Sequence, residues 1–157
     1  MRKLMLLVVV LGLAGSLWAT DPHLGTWKFN AAQSKYPPGQ PVPKEATFVI
    51  RAAGDQIEVT ATWTEANGTT GSLKSTYPQE GGLHKWVGPV PAAVAGEILV
   101  TTVVTPYELY ETVLKDGKQQ QVNHVVISKD GKTTHETVKG KNAQGKPFEE
   151  LRVFEKQ

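Results

Sequence analysis

Few side chains in this sequence are of a type that does chemistry. His124 and His135 lie on consecutive Thr- and Val-rich runs, with Glu111 and Glu150 on the runs to either side. Two imidazoles and a carboxylate gathered on one sheet face would hold a metal ion, or change charge near neutral pH. Their spacing is not that of a metal motif, so both are read as polar groups that orient a ligand; no metal and no cofactor is expected. His23 and His84 fall in loop-like contexts. Arg152 has two readings, an anchor for an anionic headgroup or a brace for an aromatic ring. No nucleophile elbow, phosphate loop or His-Glu-x-x-His motif is present. Glu149 and Glu150 are strand neighbours, so they face opposite ways and cannot act as a pair. No catalytic residue is assigned. Asn67-Gly68-Thr69 fits a glycosylation sequon, but a hairpin turn already explains Asn-Gly.

The elements that must position these groups are strands. Turn residues recur at 52–55, 66–68, 79–82, 116–117, 130–131 and 142–145, and the runs between them have strand length and no helical period. Strands are expected at 24–29, 45–51, 56–65, 69–77, 84–88, 97–104, 107–115, 118–127, 132–140 and 147–155. The expected fold is therefore all-β: a single antiparallel meander of about ten strands, closed into a barrel because closure removes the two exposed edges. A two-sheet sandwich is the competing architecture.

Turn lengths predict the register. A four-residue loop at 52–55 places Ile50 opposite Ile57, and a three-residue loop at 66–68 places Trp63 opposite Gly71. The two Lys-Asp-Gly-Lys turns pair Leu109 with His124 and Val126 with His135. A four-residue loop at 142–145 pairs His135 with Arg152 and Thr137 with Glu150. On this register His124, His135 and Arg152 share a face with Leu109 and Phe154, while Asn123 and Glu136 take the other. Neither face is plainly the core, as expected of a barrel that encloses a ligand or water.

Residues 1–19 read as a secretory leader: Arg2 and Lys3, an apolar run from Leu4 to Leu13, and a cleavage site after Ala19. The expected domains are a signal peptide at 1–19 and a barrel at 20–157, in a secreted or periplasmic protein with no membrane span once the leader is removed. The leader holds two of the 17 basic side chains and none of the 15 acidic ones, so the remainder is neutral. No basic stripe is left to bind nucleic acid. The chain has no cysteine, which excludes disulfide staples and thiol chemistry.

Gly25-Thr-Trp-Lys-Phe29 resembles the opening strand of lipocalins and fatty-acid-binding proteins, the calycins. Leu151-Arg-Val-Phe-Glu-Lys156 is similar to their last strand. The resemblance implies a barrel whose first and last strands are neighbours, so that Gly25, Trp27 and Arg152 meet where it closes. A guanidinium on the Trp27 indole there would contribute about 0.5–2 kcal/mol. The sequence departs from that family in two places. Asn30–Pro43 carries Pro37, Pro38, Pro41 and Pro43 where fatty-acid-binding proteins place two helices. Phe154 stands where their Tyr would.

Together these readings predict an exported, non-enzymatic protein that binds a small lipophilic molecule. Trp63, Val59 and Ile57 would line the cavity, with Arg152, His135 and His124 orienting the ligand. The alternatives are a protein-interaction module with a filled barrel and a small isomerase or cyclase on the same fold.

Overall fold

The structure, a computed structural model of the chain, describes residues 21–92, 94–142 and 144–157. The leader expected at 1–19 lies outside these residues. Among them are ten strands and no helix: β1 Gly25–Phe29, β2 Glu45–Ala53, β3 Gln56–Thr64, β4 Thr70–Pro78, β5 Gly81–His84, β6 Ile98–Thr105, β7 Glu108–Lys115, β8 Lys118–Ile127, β9 Thr133–Lys141 and β10 Pro147–Lys156. One antiparallel sheet joins them in the order β4-β3-β2-β1-β10-β9-β8-β7-β6-β5. The first and last strands lie side by side, and the sheet curls into a nearly closed barrel, not a two-layer sandwich. Only β5 is misplaced by the sequence reading, which set it at 84–88.

Alternation builds the strands. In β3, Ile57, Val59 and Ala61 are buried while Glu58 and Thr62 are exposed. Each fully buried aliphatic or aromatic side chain contributes about 1.5–3 kcal/mol, and Trp27, Leu99, Val138 and Val153 are the most deeply enclosed. The β7–β8 turn has positive φ at both Asp116 (52°) and Gly117 (71°), the pair of left-handed residues that a two-residue type I′ hairpin requires.

Three registers differ from expectation. The β2–β3 turn is tighter, over Gly54-Asp55, so Ile50 faces Val59; the two-residue shift keeps the same faces inward. Between β7 and β8 a bulge around Gln120 follows the expected turn, so His124 faces Tyr110 and not Leu109. Between β9 and β10 five residues, 142–146, form the loop, so Arg152 faces Glu136 and Val153 faces His135. Each of these last two slips is a single residue, and a single residue exchanges inside for outside. Trp63 does face Gly71, and Val126 faces His135, as expected.

The closing contact also has a different cation. Trp27 pairs with Lys156, whose Nζ lies 4.9 Å from the indole centroid and donates to the Pro22 carbonyl at 2.9 Å. Gly25 leaves the room: a Cβ there would sit 2.7 Å from Lys156 Cε, at a φ of 137°. Arg152 takes no part in this stack. The proline-rich segment forms no helix; Asn30 N and the Lys35–Leu151 bridge extend the pairing along the edge of β10. At the other seam the described residues give no β4–β5 ladder and a single bridge, from Lys74 of β4 to Val87, which follows β5.

Candidate functional site

The barrel encloses a cavity of about 640 Å³, and the strand registers give it two unlike walls. On β2–β4 the inward rows are Phe48-Ala61-Leu73 and Ile50-Val59-Ser75. On β6–β10 one row is Thr101, Glu111, Asn123, Val138 and Glu150, and the next is Leu109, Val125, Glu136 and Arg152. Phe48 packs on Phe154 at 5.1 Å and Phe154 on Phe29 at 5.7 Å, extending the apolar wall across the closing strands.

Arg152 is the cation of the polar wall. Its Nε donates to Glu150 Oε1 at 2.7 Å, its Nη2 also pairs with Glu150, and its Nη1 lies 3.6 Å from Glu136 Oε2. Burial opposes its charge, but the two carboxylates outweigh burial and hold it above the ordinary arginine value. Glu136 is pushed up by burial, with Arg152 opposing. Burial and the neighbouring Glu136 push Glu111 up to about 8. Its side chain keeps 21% of its exposure and lines the cavity. Glu111 accepts from Asn123 Nδ2 at 3.2 Å, and Asn123 accepts in turn from Gln121 at 2.6 Å. Tyr36 stands edge-on to Phe29, and burial raises its hydroxyl to about 12.

His84 fixes the β4–β5 side. Ser75 Oγ spends its proton on the Lys85 carbonyl at 3.0 Å, so His84 Nδ1 must donate to that oxygen, 2.5 Å away. His84 Nε2 then accepts from Thr101 Oγ1 at 2.8 Å. This neutral tautomer agrees with burial, which pulls the imidazole down to about 4. Near the first strand, His23 Nδ1 lies 3.1 Å from Asp21 Oδ1, and the His23 carbonyl accepts from Trp27 Nε1 at 2.7 Å. His23 lines the cavity, and its Nε2 is buried without a hydrogen-bond partner among the described residues.

Of the residues expected to form the site, Arg152 and Val59 line this cavity. Ile57 packs beside Val59 and Tyr77 in the core. Trp63 lies over Gly71 in a separate depression. His124 and His135 are on the outer face: His124 stacks on Tyr110 at 4.3 Å and meets Glu108 at 2.8 Å, and His135 is exposed. The one-residue slips put them there. The same slips bring Asn123 and Glu136 inside. His84 and Ser75 were not anticipated, although the run Leu73, Ser75, Tyr77 alternates inward and carries the signal.

No family model and no curated protein sequence matches the chain. Solved structures do. The ileal bile acid-binding protein of zebrafish, solved with cholic acid, matches over 87% of this chain and 99% of its own, at 18% identity and a TM-score of 0.50. Lobster apocrustacyanin A1 matches over 88% of this chain and 62% of its own, at 13% identity and a TM-score of 0.45. The siderocalin Ex-FABP matches over 87% and 71%, at 11% identity and a TM-score of 0.39. At such identities the likeness is one of fold alone: a nearly closed, ten-stranded antiparallel barrel, shared with the zebrafish protein.

Proposed function

We propose that this chain is an exported binding protein that holds a small lipophilic molecule in its barrel and does not transform it. The observation that carries this reading is the cavity. Its volume of about 640 Å³ falls within the ~300–1,000 Å³ usual for ligand sites, and it combines an apolar wall with a few convergent polar groups. The zebrafish barrel solved with cholic acid supports a small-molecule occupant. The cavity also favours binding over a barrel filled by its own side chains. Arg152, Glu111 and Asn123 would orient the polar end of the ligand, and Phe48, Val59 and Phe154 would shield the rest from water.

Native mass spectrometry after gentle extraction from the host tests the reading, together with titration of a fluorescent apolar probe. The expected result is a co-purifying small molecule or saturable probe binding, on a chain whose mass begins after Ala19. An empty barrel that binds no probe would overturn it.

A further inference from the structure

Around Arg152 the cavity wall is rich in carboxyl groups; two further cations line the cavity, Lys115 and Lys141, at the last residues of β7 and β9. Glu111, Glu136 and Glu150 gather around one cation, Arg152, which already pairs with two of them. The contacts described for Glu111 are the amide of Asn123 at 3.2 Å and, at 3.9 Å, His84 Nε2, with Arg152 also attracting its charge. That nitrogen accepts from Thr101 Oγ1 and carries no proton, so it donates nothing to Glu111. A second and independent observation concerns His23, of which 9% is exposed. Its Nδ1 faces the Asp21 carboxylate, so in the neutral imidazole the proton sits on Nδ1 and the partnerless Nε2 is an acceptor. Buried Tyr77 lines the same cavity.

Such a wall is hostile to an anion. An incoming carboxylate would meet the carboxyl groups of Glu111, Glu136 and Glu150 and an arginine already paired with two of them. A protonated amine meets carboxyl oxygens that can accept from it, and its charge favours ionisation of the Glu111 carboxyl that burial otherwise holds protonated. Resting on the reading of the cavity as a ligand site, we propose that it takes a cationic amphiphile, an amine whose ammonium group lies against Glu111 and Glu136 and whose hydrocarbon lies against Trp27, Phe48 and Phe154. The elevation of Glu111 to about 8 agrees with this, because an ammonium group supplies the positive charge the buried carboxyl lacks.

Three ligands with one tail separate the possibilities: octylamine, octanol and octanoate, titrated by calorimetry at about pH 8, where the amine is protonated. Octylammonium is expected to bind about tenfold or more tighter than octanoate, with octanol between them. Glu111→Gln, with its fold checked by circular dichroism and thermal melting, is expected to weaken octylammonium about tenfold while leaving octanol within about twofold. Octanoate binding as tightly as octylammonium would overturn the cation preference and leave the barrel a lipophile binder. Octylammonium binding that Glu111→Gln does not weaken would overturn the assigned site. Failure of all three to bind would remove both this inference and the reading beneath it.

Discussion

His84 and Glu111 stand 3.9 Å apart, and burial displaces their proton equilibria in opposite senses. For His84 the folded value is pulled from 6.5 to about 4. Below about 6.5 the unfolded chain takes up a proton that the folded chain refuses, so stability falls as the pH drops toward 4. Glu111 is raised from 4.5 to about 8, so the folded chain keeps a proton that the unfolded chain releases. Its contribution is complete below 4.5 and is lost as the pH rises through about 8. The groups that bias Glu111 are Glu136, Arg152, Glu97 and Asn123. Each arm has a limiting slope of about 1.4 kcal/mol per pH unit. Between 4.5 and 6.5 the two slopes oppose and largely cancel. Thermal melts of single variants separate them. Glu111→Gln is expected to flatten the loss of stability between about pH 6.5 and 8 and to uncover, between 4.5 and 6.5, the rise of stability with pH that His84 causes. His84→Gln is expected to extend the fall of stability with rising pH down to about 4.5, at the cost of the Ser75 and Thr101 hydrogen bonds, about 1–3 kcal/mol of stability throughout. A Glu111→Gln profile that follows the wild type up to pH 8 would show that this carboxyl is not held protonated.

At the scale of the elements, the sequence states where the chain reverses but not how many residues each arm spends. The Asp-Gly pairs, the Val/Thr alternation and the Gly-x-Trp start are local signals, and the strands they mark are nearly all where they were expected. The bulge at Gln120 and the fifth residue of the 142–146 loop have no such signal, because both are settled by how β8 and β10 pack across the barrel. Half the site was hidden for that reason: Arg152 and Val59 were legible, whereas Glu136 and Asn123 exchanged places with His135 and His124. Trp63 is the instructive intermediate. Its partner Gly71 was read correctly, yet the indole covers Gly71 instead of facing the cavity, and a Cβ at Gly71 would fall 2.2 Å from Trp63 Cζ2. Gly71→Ala therefore has to displace a tryptophan, with an expected cost of about 1–3 kcal/mol in chemical denaturation and a shift in tryptophan emission. Probe affinity is expected to stay unchanged, since Trp63 belongs to a separate depression. A loss of affinity matching the loss of stability would put Trp63 back in the cavity wall.

Considered whole, the barrel is a sheet with one strong seam and one weak one. At β1–β10 a ladder, the Lys156 stem on Trp27 and the Asn30–Lys35 extension all hold the edges together. Between β4 and the stretch from β5 to Val87 the described residues offer the Lys74–Val87 bridge, with hydrogen bonds of 3.0 and 2.7 Å, and the Ser75 hydroxyl's contacts with His84 and the Lys85 carbonyl. Opening free energy is lowest where backbone pairing is sparsest, so the seam beside His84 is the expected entrance to the cavity. The chain lacks cysteine, which allows a clean test. Lys74 and Val87 exchange both backbone hydrogen bonds, a pairing with Cα atoms about 5.5 Å apart, inside the ~4.4–6.8 Å range of disulfides. Lys74→Cys with Val87→Cys, oxidised, is expected to fasten the seam and raise stability by about 2–4 kcal/mol. In stopped-flow mixing with an apolar probe, the oxidised protein is expected to bind and release about tenfold more slowly than the same protein reduced, with affinity little changed. Equal rates in both redox states would mean that ligands pass through an end of the barrel, and that the sparse pairing at β4–β5 serves closure alone.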